Sequence, residues 1–278
     1  MSSLVERNEL SKKNINLIKK NPTSAGQRHL YRINKKILWR HSSCKRLTIN
    51  FKSALGRNNR GLITVKGREA GHKKKYRRLY LKNNIYNIPS IIKRIEYNTY
   101  GTSFINLLYY LNNTICYLPN TQNHKINNIV STKKNIRTQM EGSSTTLKNI
   151  PIGTSIFNIE SVPEKGPRLA KSAGSAAILI SKEYDTNKGI IKLPSGKLLE
   201  ISLLCKAFIG MSSNFYHNIQ IFGKAGISRH KGKRPHTRGV AMNPVDHPHG
   251  GGEGKTSGGR ISVTPYGFHT KGRKTKKR

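Results

Sequence analysis

No segment of this chain holds an apolar 3.6-residue period for three turns, so helix has little room and the sequence must fold largely as short strands. From Asn58 to Gly142 the candidate strands are GLITV, KKYRRLYLK, SIIKRIEY, SFINLLYYLN and TICYL, rich in Ile and Tyr and bounded by Asn, Gly and Pro. In SIIKRIEY the apolar Ile92, Ile95 and Tyr97 do not alternate cleanly with Lys93, Arg94 and Glu96, so its register is not evident. A second strand-rich zone, Ser143 to Phe222, carries TSIFNIE, AAILISKE, GIIKLP and KLLEISLL, with a turn at Leu193–Gly196. The spacing fits two small all-β barrels in tandem, each near the lower size limit for a stable core and so in need of mutual packing or a bound partner. Residues 1–57 read as a basic arm broken by Pro22, Gly26 and Gly56, with a short candidate helix around Asn14–Lys20. The zones are therefore 1–57 (arm), 58–142 and 143–222 (barrels), and 223–278 (a tail of Gly, Pro and cations).

Within the tail, GVAMNPVDHPHGGGEG at Gly239–Gly254 suits neither helix nor ladder strand. Pro244 and Pro248 lack N–H groups, and the glycines permit backbone angles that a Cβ forbids. The run has few apolar side chains to bury, and cation-rich segments flank it on both sides, so something anionic outside it must hold it. The whole chain agrees: 52 Lys+Arg against 12 Asp+Glu leave a formal charge of +40 on 278 residues, a self-repulsion readily offset only by a polyanion. A phosphate backbone fits, because each neutralised phosphate releases counterions. A membrane does not, since no apolar run reaches the roughly 18 residues that spanning needs and no long basic amphipathic helix is present.

Cys44, Cys116 and Cys205 are too far apart in sequence for a zinc knuckle or a disulfide framework and read as packed or incidental thiols in a reducing compartment. The first twenty residues lack the apolar core of a secretory signal, and Glu6 and Glu9 sit badly in a transit peptide. Runs such as NNIYNIPSIIKRIEYN use residues with AT-rich codons. Together these favour a protein encoded inside an organelle, with an AT-rich bacterium as the other source.

Other chemistries fit less well. GGGEGKT at Gly250–Thr256 imitates a phosphate-binding loop, but the required first glycine falls on His249, and no buried strand precedes it or helix follows. Asp246, His247 and His249 could ligate a metal, yet no second acidic cluster supplies further ligands or a base. Histidine in a cationic loop more commonly hydrogen-bonds or stacks on a nucleobase. In HKKKYRRLYLK, Lys73, Lys74, Lys75, Arg77 and Arg78 interleave with Tyr76 and Tyr80, giving phosphate ligands and stacking faces on one strand. Arg229, Lys231, Lys233, Arg234 and Arg238 lie among glycines that let the backbone approach phosphates.

These residues carry a resemblance. PTSAGQRH (22–29), GRNNRG (56–61), GHKKKYR (71–77), NIPIGTSIFNIE (149–160), RLAKSAG (168–174), GKAG (223–226), RGVAMNPVDHPHGGGEG (238–254) and VTPYGFHTKGRKT (263–275) occur in the order seen in the second large-subunit ribosomal protein family. The chain resembles this universal "L-two" family in its bacterial and organellar, here mitochondrial, form, and the match covers most of the chain beyond the first twenty residues. Departures are local: VKGREAGHK lacks the family's glycine run, and His230 stands where Trp is common.

The resemblance implies an oligonucleotide-binding-type barrel followed by an SH3-like barrel, both on large-subunit rRNA, with extensions threading towards the peptidyl-transferase centre. It implies roles in subunit assembly and association, with neighbouring ribosomal proteins and the small subunit as further partners. Carried over by motif, the RNA-binding residues are Arg28 and His29; Arg57 and Arg60; His72 with the cations that follow it; Arg168 and Lys171; and Lys224. In the loop and beyond they are Met242, Asn243, His247, His249, Gly250, Gly251, Gly252, Lys255, Arg260 and Lys271. His247 matches a histidine to which the family attaches functional importance, including a suggested part in peptide-bond formation, but on such a loop it orders RNA rather than transferring protons. No catalytic residue, metal site or cofactor of the protein's own is expected; Mg2+ would enter only with the RNA. The setting implied is the mitochondrial matrix, with a plastid ribosome as the alternative. The rivals are a metal-dependent enzyme, which would retain metal without RNA, and a DNA-compacting protein, which would bind duplex DNA as well.

Overall fold

A computed structural model describes residues 17–80, 88–131, 141–254, 256 and 258–272. Among the described residues, sixteen strands and a few single-turn helices make up the regular structure, and the ladders between these strands are all antiparallel. The all-β class is as expected. Two compact units are formed, one from Met1–Lys52 with Lys73–Ala225, the other from Ser53–His72 with Gly226–Arg278.

In the first unit, β1 (Leu17–Lys19) pairs with β2 (Tyr31–Ile33), and β3 (Thr48–Asn50) with β4 (Lys75–Arg77). Leu17–Lys19 thus lies in a ladder where a helix was expected, because pairing with Tyr31–Ile33 satisfies a backbone too short to gain much from helix formation. A four-stranded sheet runs in the order β7 (Ile115–Pro119), β6 (Ile105–Tyr110), β5 (Pro89–Glu96), β8 (Ile129–Ser131). The irregular apolar pattern of β5 has a plain cause: its register against β6 shifts between Ile92 and Arg94, a bulge at Lys93 that leaves Ile92 and Ile95 both buried. The sequence candidate GLITV forms no strand; Ile63 makes a single bridge to Arg57, in the second unit.

A six-stranded sheet follows, ordered β15 (Leu198–Ser202), β14 (Lys188–Lys192), β13 (Ala177–Glu183), β10 (Ser155–Phe157), β16 (Lys206–Ile209), β9 (Ser144–Thr146). A two-stranded ladder of β11 (Ile159–Glu160) and β12 (Pro167–Leu169) accompanies it. The expected turn at Leu193–Gly196 closes β14 onto β15, with the Gly196 N–H donating to the Leu193 carbonyl at 2.9 Å. One core lies on the inner side of this sheet, around Leu147, Ile156, Leu179, Ile191 and Ala207.

A second core joins the two sheets. Ile92, Ile95, Leu108, Tyr110 and Leu118 of the four-stranded sheet pack with Phe157 and Phe208, register partners on β10 and β16 whose rings lie 5.6 Å apart. On the other face of β6, Ile105 and Leu107 pack with Tyr117, Leu47 and Leu79. Strand β6 is covered on both faces, so its sequence is a nearly continuous apolar run. Cys116 and Cys205 are buried free thiols, both pushed up to about 11 by burial.

Two polar devices hold this unit. Glu96, 1% exposed, meets Arg77 Nε at 2.9 Å and Arg94 Nε at 3.0 Å, and it accepts the Tyr117 hydroxyl at 2.9 Å. The Arg94 contact is ionic only, its N–H pointing off the hydrogen-bonding direction. The Arg94 guanidinium lies 4.7 Å from the Trp39 ring, and the Tyr117 oxygen accepts the Cys44 N–H. Burial first, and the charge of Glu96 as well, push the Tyr117 hydroxyl up to about 12, so it remains a donor to the carboxylate.

The second device is His124, whose Nδ1 accepts from the Asn106 amide at 2.8 Å while its Nε2–H donates to the Glu141 carbonyl at 3.0 Å. Burial lowers its pKa, outweighing the opposing pull of that carbonyl and of the Glu141 charge. The folded imidazole therefore stays neutral where the unfolded one, near 6.5, has already taken a proton. This contribution to stability is complete above about pH 6.5 and is lost as pH falls through that value, with a slope of at most about 1.4 kcal/mol per pH unit. Urea melts of wild type and His124→Asn at pH 7 and pH 5 should show a smaller acid loss in the variant. Equal losses would mean that His124 titrates alike in both states.

Candidate nucleic-acid interface

The first unit presents cations and rings together. In β4, Lys75 and Tyr76 are exposed while Arg77 turns towards Glu96, so of the interleaved cations one is held from behind by a carboxylate. Tyr76 packs edge-on against Tyr100 at 5.7 Å, and Tyr100 packs in the same way against Phe51 at 5.4 Å. Beside this cluster opens a cleft of about 370 Å³ lined by Tyr76, Arg77, Asn98, Tyr100, Thr102, Asn158, Lys171 and their neighbours. Arg28, His29, Arg78, Arg168, Lys171 and Lys224 are all exposed on this unit, and Lys74 is half-buried.

In the second unit, two basic segments far apart in sequence are laid side by side. Arg68 bridges Lys233; the Glu69 N–H donates to the Gly232 carbonyl at 2.9 Å, and the Arg234 N–H to the Gly67 carbonyl at 3.0 Å. Glu69 also meets Arg229 at 3.0 Å and Arg234 at 3.3 Å, so a single acid gathers two of the expected RNA-binding arginines. Arg57, Arg60, His72, Lys231, Arg238, Arg260 and Lys271 are exposed here and Lys73 is exposed on the first unit, whereas Lys255 lies outside the described residues.

The loop that follows is closed on itself. The Gly251 N–H donates to the Met242 carbonyl at 3.0 Å, and the Gly250 N–H to the His247 carbonyl at 2.8 Å. Gly250 is required by proximity: a Cβ there would lie 2.2 Å from the Asn243 carbonyl oxygen. A Cβ on Gly239 would lie 2.5 Å from the His247 ring, so that ring sits directly on the glycine backbone. His247 is only 8% exposed and stacks on His249 at 5.3 Å. Its Nδ1 accepts the His249 N–H at 3.0 Å, which leaves the ring hydrogen on Nε2. His249 is occupied at both nitrogens: Nδ1–H donates to the Gly258 carbonyl at 3.1 Å, and Nε2 accepts the Val263 N–H at 2.9 Å. Both histidines are thus neutral struts of the loop. Asn243 and Gly252 are exposed, Met242 and Gly251 half-buried, and Val245 projects with 91% exposure from a loop that has no core of its own to receive it.

Sequence reasoning singled out most of these cations but not the groups that organise them. Glu69 and Glu96 carried a signal, a lone acid inside a basic run and an acid inside an apolar strand. Tyr100 and Phe51 carried none, because only the fold brings them to Tyr76. Among the described residues no group of three His, Cys, Asp or Glu side chains could hold a metal, and no helix is long and apolar enough to cross a membrane.

Comparison with known proteins gives the family. Residues 44–132 match the family described as Ribosomal Proteins L2, RNA binding N-terminal domain, and residues 140–267 match Ribosomal Proteins L2, C-terminal domain. Over 261 residues, 94% of this chain and 93% of the relative, it is 47% identical to the large ribosomal subunit protein uL2m of Reclinomonas americana. It is 45% identical over 257 residues to uL2 of Rickettsia massiliae, covering 92% of this chain and 93% of that one. With uL2 of Parvibaculum lavamentivorans the identity is 41% over 260 residues, 94% and 92% of the two chains. With both halves matched and these relatives aligned along nearly their whole length, the chain belongs to the L2 family of ribosomal proteins, a family of structural proteins rather than enzymes.

Proposed function

We propose that this chain is a structural constituent of a mitochondrial large ribosomal subunit, bound to its rRNA near the peptidyl-transferase centre and supporting subunit assembly and association. The carrying observation is the second unit's loop, shaped by its own glycines and neutral histidines and surrounded by exposed cations. Such a loop keeps a defined form without an apolar core, while the exposed cations of the same unit meet phosphates. The uL2m relative supports the mitochondrial assignment over a plastid one. We read the four-stranded sheet with its neighbours as the oligonucleotide-binding-type barrel of residues 58–142 and the six-stranded sheet as the SH3-like barrel of 143–222, with 1–57 and 223–278 as RNA-threading arms. Neighbouring ribosomal proteins and the small subunit complete the partners. The chain needs no cofactor, and Mg2+ accompanies the RNA.

A tagged chain expressed in mitochondria should sediment with large-subunit particles at physiological salt. Recovery at the top of the gradient, or with DNA, would overturn the assignment.

The loop geometry also supports an RNA-ordering part for His247 over a proton-transferring one. With Nδ1 engaged by the His249 N–H and the hydrogen on Nε2, the ring has no lone pair left to act as a general base. His247→Asn places an acceptor where Nδ1 stood, so fully assembled subunits carrying it should transfer peptide at close to the wild-type rate in a single-turnover assay. A loss of about 10²- to 10⁴-fold in intact particles would instead mark His247 as a proton carrier.

A further inference from the structure

We propose that the cleft beside Tyr76 and Tyr100 receives a single unpaired nucleotide of the bound RNA, its base stacked on the tyrosine pair and its phosphate drawn to Lys171. The inference deepens the RNA-binding reading and rests on it.

Three observations converge. The cleft, about 370 Å³, is large enough for a base and sugar and lies within the usual range of small-ligand pockets. Its apolar face is aromatic and open: Tyr76 is 37% and Tyr100 46% exposed, although rings of this size are ordinarily well covered. The edge-on packing of Phe51 and Tyr76 against Tyr100 fixes the ring without covering it. A preset ring costs little to order when a base stacks on it.

The charge and polarity around the rings select the occupant. The lining holds two cations, Arg77 and Lys171, and no carboxylate. Arg77 is braced by Glu96, so its guanidinium plane is already positioned, whereas Lys171 is exposed and mobile enough to follow a phosphate. Asn98, Asn158 and Ser172 supply the donors and acceptors that the edge of a base requires. An aromatic peptide side chain would use the rings but leave these polar groups unmatched. A paired base would present neither face, so the partner is an extruded or single-stranded nucleotide.

The test uses the full-length chain and two probes, a structured large-subunit rRNA fragment and a single-stranded RNA hexamer carrying one 5-iodouridine. Ultraviolet light should join the hexamer to Tyr76 or Tyr100, mapped by mass spectrometry. Tyr100→Ala should weaken hexamer binding about 5- to 150-fold, with Tyr100→Trp restoring it, and the loss should persist at high salt because stacking releases few counterions. Near-UV dichroism confirms that each variant is folded. If the chain binds the rRNA fragment but the hexamer crosslinks elsewhere, or Tyr100→Ala binds it as wild type does, the cleft has no such role while the RNA-binding reading stands. If wild type binds neither probe, the RNA-binding reading itself fails. A preference for an aromatic peptide over the hexamer at the same tyrosines would also overturn the proposal.

Discussion

Phe157→Ala should destabilise both sheets of the first unit together, by about 3–5 kcal/mol, because the ring belongs to the six-stranded sheet by backbone and to the core of the four-stranded sheet by packing. The two buried thiols report on one sheet each: Cys116 lies on β7 and Cys205 immediately before β16. Burial keeps both thiols protonated, so each should react with a thiol reagent only on unfolding. In RNA-free, high-salt buffer the urea midpoints for the two should coincide in wild type and fall together in the variant. A shift confined to Cys205 would show that the four-stranded sheet holds together without the ring.

Glu96→Ala should cost nearly as much, about 3 kcal/mol, by a different route. The substitution leaves Arg77 and Arg94 facing each other without their shared carboxylate and removes the acceptor of a buried tyrosine hydroxyl. Both guanidinium groups reach solvent in part, which holds the figure at the low end for a broken buried pair. Removing Arg77 as well should recover part of the loss, since one of two repelling charges goes. Equilibrium unfolding of the two single variants and the double variant measures this directly. A loss below about 1 kcal/mol for Glu96→Ala would mean that water replaces the carboxylate without penalty.

What could be read from the chain follows the range of the forces concerned. Turn chemistry is local, so LPSG was legible as the closure of a hairpin, and the two prolines and glycine run announced a loop without regular structure. Strand identity was legible where apolar residues crowd, as in SFINLLYYLN, but not in GLITV, whose Leu62, Ile63 and Val65 are all exposed and find no partner sheet. The bulge at Lys93 hid the register of β5, because one extra residue breaks the period of two that marks a strand. Side-chain convergence was the least legible. Glu69 with Arg229 and Arg234, and Tyr76 with Tyr100 and Phe51, are joined only by long-range pairing that no local spacing announces. His247 and His249 were read as residues that contact RNA; their part in holding the loop, the direction of each hydrogen bond and with it the tautomer needed coordinates.

The position of Phe157 and Phe208 in a core shared with Ile92 and Leu108 also sets a schedule for the newborn chain. Strands β5 to β7 are complete once Pro119 has been made, yet their inner face stays uncovered until Phe208 has emerged, on the order of ten seconds later at about 5–20 residues per second. During that interval a strongly basic chain carries an open apolar sheet. Transient shelter by a chaperone would therefore matter most before synthesis passes β16, and a pause in translation upstream of that strand would lengthen the exposure and raise the yield of aggregates.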